Sequence, residues 1–328
     1  MALFQRRASA PLPTDGAELR AEIDRLDAEN RRRRDRGRER RLVRLRHAAG
    51  WQALGGSGAD YPAPDTTALG PQRPLPEHAR ADVTPALLRA GILRDGCLLV
   101  RGLVPRDDAL ALARGIDAAF AARERGEAGD GLYDEFDPEG DSDIDKVRPW
   151  IAQGGGVLAV DSPRLMFELL ELFGRAGLRE LVGGYLGEAP LLSAHKTTLR
   201  KAAPDVGGAW HQDGAFMGDV RALNLWLSLS RCGDVAPGLD IVPRRLDRIM
   251  VGHREIVDVA ATRERIEAEL GVETIERPIF EPGDALFFDE MFLHQTGADP
   301  SMPEPRYAVE SWFFGASAFP ANYAPLLV

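Results

Sequence analysis

The sequence predicts a mainly β protein, a sandwich or barrel carried on a layer of supporting helices. Three observations point there. From residue 191 onward, short apolar runs are separated by turn signals: Pro204-Asp205, Gly207-Gly208, Gly233-Asp234, Pro237-Gly238 and Pro282-Gly283. Many short strands punctuated in this way make a closed or double sheet. Before residue 191 the apolar spacing is helical, and helices followed by strands give a β core with an α-helical support. Residues 222–230 alternate strictly, with Leu223, Leu225, Leu227 and Leu229 pointing one way and Asn224, Trp226, Ser228 and Ser230 the other. Successive side chains of a strand point to opposite faces, so one face is greasy and the other polar-aromatic. A half-exposed strand would look the same, but Trp226 on the polar face favours a functional interior.

The elements follow in order. Residues 15–46 read as one helix. Leu19, Ile23 and Leu26 form a narrow seam at i, i+4 and i+7, which Asn30 continues as a polar residue and the arginine run 31–34 interrupts. Three readings stay open: a solvated, partly frayed helix, a dimerisation arm giving a homo-oligomer, or a contact with an anionic surface. Residues 52–76 are rich in Gly and Pro, which marks a linker or a strap over the surface. The expected division is a basic helical extension (1–50), a Gly/Pro-rich linker (51–77) and the main domain (78–328). Thr84-Pro85 starts a helix and Gly91 is its expected stop. Residues 97–100 are a short buried strand. Residues 105–125 form a helix with Leu110, Ala113, Ile116 and Phe120 on one side, and 165–173 and 178–186 form two more. Strands are expected at 191–201, 209–213, 222–230, 239–242, 276–280, 285–288 and 306–314. The insertion 244–270 is mostly helical by pattern.

Bulk properties narrow the partners. The 328 residues are 44% hydrophobic and 28% charged, enough for a proper core. The net charge is −10, but residues 1–50 hold 14 Lys+Arg against 8 Asp+Glu, so the tail is +6 and the body −16. An acidic body argues against nucleic acid as a partner, because phosphate binding needs clustered positive charge. The two cysteines, Cys97 and Cys232, have no short spacing, so neither a disulfide framework nor a zinc motif follows. No run approaches the ~20 apolar residues of a membrane span, and the N-terminal residues lack the apolar stretch of a signal peptide, so a cytoplasmic protein is expected.

The chemistry sits in two short motifs. His211-Gln212-Asp213 places an imidazole and a carboxylate at i and i+2; on a strand both project from one face, as two ligands of one metal would. Alone, such a pair is more often a structural hydrogen bond. Its setting changes that. The pair lies in Trp210-His211-Gln212-Asp213-Gly214, at the end of a short strand. Some 70 residues on, the turn and strand Glu281-Pro282-Gly283-Asp284-Ala285-Leu286-Phe287-Phe288 precede Leu293-His294-Gln295-Thr296-Gly297. Two histidines and one carboxylate on one side of an ion leave the other side open, the arrangement of non-haem Fe(II) oxygenases. Twelve residues after His294 comes Arg306, which shares a strand face with Ala308, Glu310 and Trp312. An inward arginine needs an anion, either a carboxylate-bearing cosubstrate or an acid such as Glu310.

These residues carry a family resemblance. Residues 191–314 resemble the phytanoyl-CoA dioxygenase family of Fe(II)/2-oxoglutarate oxygenases, through Trp210-His211-Gln212-Asp213-Gly214, Leu223-Asn224-Leu225-Trp226-Leu227-Ser228-Leu229, Glu281-Pro282-Gly283-Asp284, His294-Gln295-Thr296-Gly297 and Arg306. The strand near Cys97 and its following helix resemble the family's opening elements, so the likeness spans roughly 83–315. It implies a double-stranded β-helix, or jelly roll, with iron held by His211, Asp213 and His294. It implies 2-oxoglutarate held by Arg306 with help from Thr296, and Trp226 and Asn224 in the cofactor pocket. Lys196, Arg200 and Lys201 are candidates for a further cosubstrate contact. The implied activity is hydroxylation of a C–H bond of a small molecule, with O₂ consumed. Asp213 matters here, because related halogenases lack the carboxylate. The sequence departs from the family at Val242-Pro243-Arg244-Arg245-Leu246, where a Pro-Gly-Ser-His segment is usual, and in a slightly long loop before Arg306.

The substrate is less legible, and specialised metabolism is the expected setting. Asp130, Asp134, Glu135, Asp137, Glu139, Asp141, Asp143 and Asp145 make an acidic stretch. As a solvated loop it says nothing; as a lid it would disfavour polyanions. Arg148, Trp150 and the 244–270 insertion are candidate pocket walls. His47, His78 and His253 are discounted, and His195 reads as a core hydrogen-bonding residue. The competing readings are a non-catalytic protein of the same fold and a cupin-like protein using another metal.

Overall fold

The computed structural model describes residues 11–72, 74–126, 131–138, 142–218, 220–252, 261–271 and 274–328. Asp130, Glu139, Asp141 and His253 lie outside these residues. In chain order the helices are α1 (Gly16–Arg32), α2 (Arg36–Ala53), α3 (Pro85–Asp95), α4 (Arg106–Arg125), α5 (Ile144–Gln153), α6 (Pro163–Arg175), α7 (Leu178–Leu186), α8 (Gly214–Met217) and α9 (Arg263–Leu270). The strands are β1 (Glu77–Ala79), β2 (Cys97–Arg101), β3 (Gly156–Leu158), β4 (Pro190–Ala202), β5 (Ala222–Ser228), β6 (Gly238–Ile241), β7 (Ala285–Phe288), β8 (His294–Gly297), β9 (Arg306–Gly315) and β10 (Pro325–Leu327). Among the described residues about twice as many lie in helices as in strands, which corrects the expectation of a mainly β chain. The helical support is larger than the spacing of apolar residues suggested.

Three layers result. The larger sheet runs β1-β2-β7-β5-β9-β4-β10, with β3 beside β4. The smaller sheet pairs β6 with β8, and isolated bridges His211–His294 and Ile241–Glu276 widen it. Leu223, Leu225 and Leu227 point out of the larger sheet into a cluster with Leu88 and Ile92 of α3, Ile116 of α4, Leu169 of α6 and Leu181 of α7. Each such leucine contributes roughly 2 kcal/mol by burial. The opposite face meets the smaller sheet: Trp226, Leu286, Phe288, Ala308 and Trp312 share a cluster with Leu239 and Ile241. The alternation read in 222–230 is therefore the division between two cores, with Trp226 inside.

Several boundaries moved, each for a physical reason. The expected 15–46 helix is two helices, because Asn30 and Asp35 break it: Asn30 accepts from the Asp35 amide at 3.0 Å, and Asp35 caps α2 by accepting from the Arg38 amide at 2.8 Å. Helix α3 passes Gly91, whose added Cβ would meet Leu98 at 2.7 Å, and stops at Gly96, which sits at φ 75°. Gly91 is thus a packing glycine and Gly96 the left-handed cap. The expected strands at 209–213 and 276–280 reduce to single bridges at His211, Glu276 and Phe280. In the 244–270 insertion, the described part is helical only at α9. The acidic stretch runs into helix α5.

Helices α1 and α2 pack on the body. Leu19, Ile23, Leu26, Leu42 and Leu45 share a cluster with Phe167 of α6, Leu191, Ala316 and Leu327. The apolar seam that the sequence offered to a second copy is covered within the chain. Among the described residues no helix is long and apolar enough to cross a membrane.

Candidate metal centre

His211 and His294 stand opposite each other across a backbone bridge, His211 N–H donating to His294 O at 2.9 Å and His294 N–H to His211 O at 3.1 Å. The residue before each one, Trp210 and Leu293, points the other way into a shared apolar cluster with Val242, Leu246, Val251 and Ile266. Alternation then turns both imidazoles inward together, their ring centroids 4.3 Å apart. Each ring is locked by its own backbone. Nδ1 of His211 lies 2.8 Å from Ala209 O, and Nδ1 of His294 lies 3.1 Å from Phe292 O. A carbonyl can only accept, so Nδ1 carries the proton and Nε2 is left as a lone-pair donor. Burial first, then the neighbouring His211, pushes His294 down to about 4, so it is neutral near pH 7.

Asp213 arrives differently from expectation. The chain leaves its bridge after His211 and Asp213 adopts a helical conformation, φ −61° and ψ −25°, at the start of α8. Its carboxylate still joins the imidazoles: one ligand atom from each of His211, Asp213 and His294 lies within 4.8 Å of the others. Two imidazole nitrogens and one carboxylate oxygen, largely buried, fit a divalent first-row metal ion.

Gln212, between the two, has no role in a His-x-Asp pattern, yet it is fully buried and clasps the surrounding loops. Its amide donates to Arg248 O at 3.0 Å and Met291 O at 2.8 Å, and accepts from the Met250 amide at 2.7 Å. Only the structure finds it, because its partners are backbone groups of two remote loops.

The other expected residues divide. Arg306 is 2% exposed, donates Nη1–H to Gly238 O at 3.0 Å and lies 5.5 Å over the Trp226 ring. Its Nε–H has no partner, and among the described residues it makes no ion pair. Glu310, the alternative partner, is taken by Arg200 at 3.0 Å. Thr296 pairs with Leu239 across the smaller sheet and so lies on His294's inward face. Asn224 and Trp226 also face inward, and Asn224 Oδ1 and Trp226 Nε1 are buried without hydrogen-bond partners among the described residues. Lys196 approaches Asp213 at 3.8 Å and sits 4.8 Å over the exposed Phe216 ring. Lys201 faces the helices instead, paired with Asp117 of α4 at 2.5 Å. Arg148 pairs with buried Asp161 at 2.8 Å. His195 is a core residue, its Nδ1 accepting from the Ala324 amide at 3.0 Å and its ring stacked on Tyr323.

No family model matches the chain, and no curated protein does. Solved structures do resemble it. EctD from S. alaskensis, determined with 2-oxoglutarate and 5-hydroxyectoine, is 16% identical over 80% of this chain and 85% of that one, at a TM-score of 0.50. The non-heme alpha ketoglutarate dependent carbocyclase SnoK from nogalamycin biosynthesis is 13% identical over 72% of this chain and 85% of that one, at 0.49. AviO1 from Streptomyces viridochromogenes Tue57 is 18% identical over 72% and 97%, at 0.44. The likeness to EctD is one of fold.

Proposed function

We propose that the chain is a dioxygenase dependent on Fe(II), 2-oxoglutarate and O₂, of phytanoyl-CoA dioxygenase type, hydroxylating a C–H bond of a small molecule. One observation carries the reading: two imidazoles with backbone-locked Nε2 donors converge with one carboxylate, and a buried arginine with no direct ion pair among the described residues faces the same interior. The two-sheet core filled by Trp226, Leu239 and Phe288 supports a jelly-roll reading, as does the fold of EctD. The same reading takes 78–328 as the oxygenase domain, with 1–50 and 51–77 as its extension and linker.

In this reading His211, Asp213 and His294 hold the iron. The chemistry supplied there is oxidation of a C–H bond coupled to decarboxylation of 2-oxoglutarate to succinate. The protein's part is positioning and exclusion of water. Arg306 holds the distal carboxylate, Trp226 fixes the guanidinium plane from one side, and Thr296 offers its hydroxyl on the same face. A buried guanidinium binds a carboxylate strongly because no water competes for its donors. Asn224 completes the cosubstrate pocket. Asp213 keeps a carboxylate in the ligand set, which favours hydroxylation over halogen transfer.

The test is anaerobic. Fe(II) is added and the visible spectrum followed as 2-oxoglutarate is titrated in. A weak charge-transfer band should appear, vanish in His211→Ala, and need at least tenfold more 2-oxoglutarate in Arg306→Leu. Bound iron without the band would remove 2-oxoglutarate from the reading.

A further inference from the structure

Glu310 has no task in that reading, and its surroundings supply one; the inference rests on the proposed cofactor set. Strand β9 lies between β4 and β5 in the middle of the larger sheet. Alternation puts Glu310 on the face of Ala308 and Trp312, opposite Thr198 on one side and Trp226 on the other. A side chain there reaches solvent only through the space between the sheets. Yet 26% of it is accessible, so part of it faces open space there. Its charge acts on both His294 and Arg306, at the two ends of the proposed site.

The two carboxylate oxygens differ. Oε2 accepts from Thr198 Oγ1 at 2.9 Å and from Arg200 Nε and Nη2 at 3.1 and 3.0 Å. Arg200 is tied in turn to Gly154 O at 3.1 Å, which fixes the carboxylate plane. Oε1 has no partner among the described residues. Burial opposes ionisation, but Arg200 and Arg306 outweigh it and bring the group down to about 2. An ionised carboxylate only accepts hydrogen bonds. A substrate carboxylate or phosphate at Oε1 would be repelled, whereas an N–H or O–H donor would be held by a charge-assisted bond.

We propose that Glu310 is a substrate-recognition residue, whose free Oε1 accepts from an ammonium or hydroxyl donor on the part of the substrate that enters the space between the sheets.

The experiment uses the full chain with Fe(II) and 2-oxoglutarate, without oxygen. The probes are sets of small molecules sharing one carbon skeleton and ending in an amine, an alcohol or a carboxylate. Binding is read calorimetrically and as a perturbation of the charge-transfer band. Amine or alcohol members should bind at least tenfold tighter than the matching acid. Glu310→Gln should cut the amine-over-acid preference tenfold or more, each protein being measured at its own saturating 2-oxoglutarate. Glu310→Asp, which keeps the charge, should retain the preference. Equal binding of acids, an unchanged preference in Glu310→Gln, or failure of every donor member to bind would each overturn the proposal. A missing charge-transfer band in the wild type would overturn the cofactor reading and this one with it; a normal band without discrimination overturns only this one.

Discussion

At the scale of single residues, the site is held by groups that never touch a ligand. Gln212 satisfies three backbone groups in two loops, and those loops flank the metal ligands on both sides. Gln212→Leu keeps the volume and removes all three bonds. Leaving buried backbone groups unsatisfied costs about 1–3 kcal/mol each when water cannot reach them. The expected outcome is a lower thermal midpoint together with iron affinity reduced by roughly 10–100-fold, the usual consequence of losing a residue that orients metal ligands. Metal titration beside thermal unfolding checks both, and normal iron affinity would show that Gln212 serves stability alone. His211 and His294 were legible through their setting, the short strand ending at His211 and the turn and strand that precede His294, since a His-x-Asp pair alone is more often a structural hydrogen bond. Gln212 was not, because its role depends on where the chain places Arg248, Met250 and Met291. Asp213 was legible by type, but its conformation was not: a helical turn replaced the expected strand and still delivered the carboxylate.

At the scale of elements, alternation was the dependable signal and apolar spacing in the charged helices was not. The β5 faces follow directly from residues 222–230, since a period of two needs no tertiary information. The basic N-terminal segment looked solvated because so many arginines surround its thin seam. Its arginines are largely engaged with carboxylates, among them Arg31 with Glu171 at 2.6 Å and Arg46 with Asp27 at 2.6 Å. The seam then packs on α6 and the C-terminal strand. Asn30, read as continuing the seam as a polar residue, is 0% exposed near the end of α1, bonded to Glu39 at 3.2 Å and to the Asp35 amide. Asp35→Ala should destabilise the protein by about 1 kcal/mol through loss of the α2 cap, read from the urea midpoint at unchanged slope. Deleting residues 1–53 uncovers Phe167, Leu191, Ala316 and Leu327. It should lower the thermal midpoint by several degrees and raise binding of a hydrophobic dye. A truncated protein of unchanged stability would contradict the packing described, and a change of oligomeric state alone would return the seam to an intermolecular role.

At the scale of the molecule, neutral histidines in the core tie stability to pH. His195 is pushed down to about 4, chiefly by burial, and its ring accepts a backbone hydrogen bond that protonation would remove. The folded state thus holds fewer protons than the unfolded chain, whose histidine titrates near 6.5. Stability is therefore full above about pH 6.5 and is lost as pH falls toward 4. One such histidine costs about 2 kcal/mol between pH 7 and pH 5. His294 adds the same trend in the metal-free protein. Some carboxylates oppose it: burial raises Asp27, Asp161 and Glu168, so the folded state gains protons there as pH falls. Glu310 stays out of this window, because its contribution is lost only as pH falls through the acid range toward 2. A difference measurement cancels these other groups. His195→Gln keeps a side-chain oxygen able to accept from the Ala324 amide but cannot take a proton. It should be less stable than the wild type at pH 7 and lose about 2 kcal/mol less between pH 7 and pH 5, as read from urea midpoints of both metal-free proteins. Parallel pH profiles would mean that His195 is protonated in the folded state, and that the Ala324 amide does not depend on its ring for a partner.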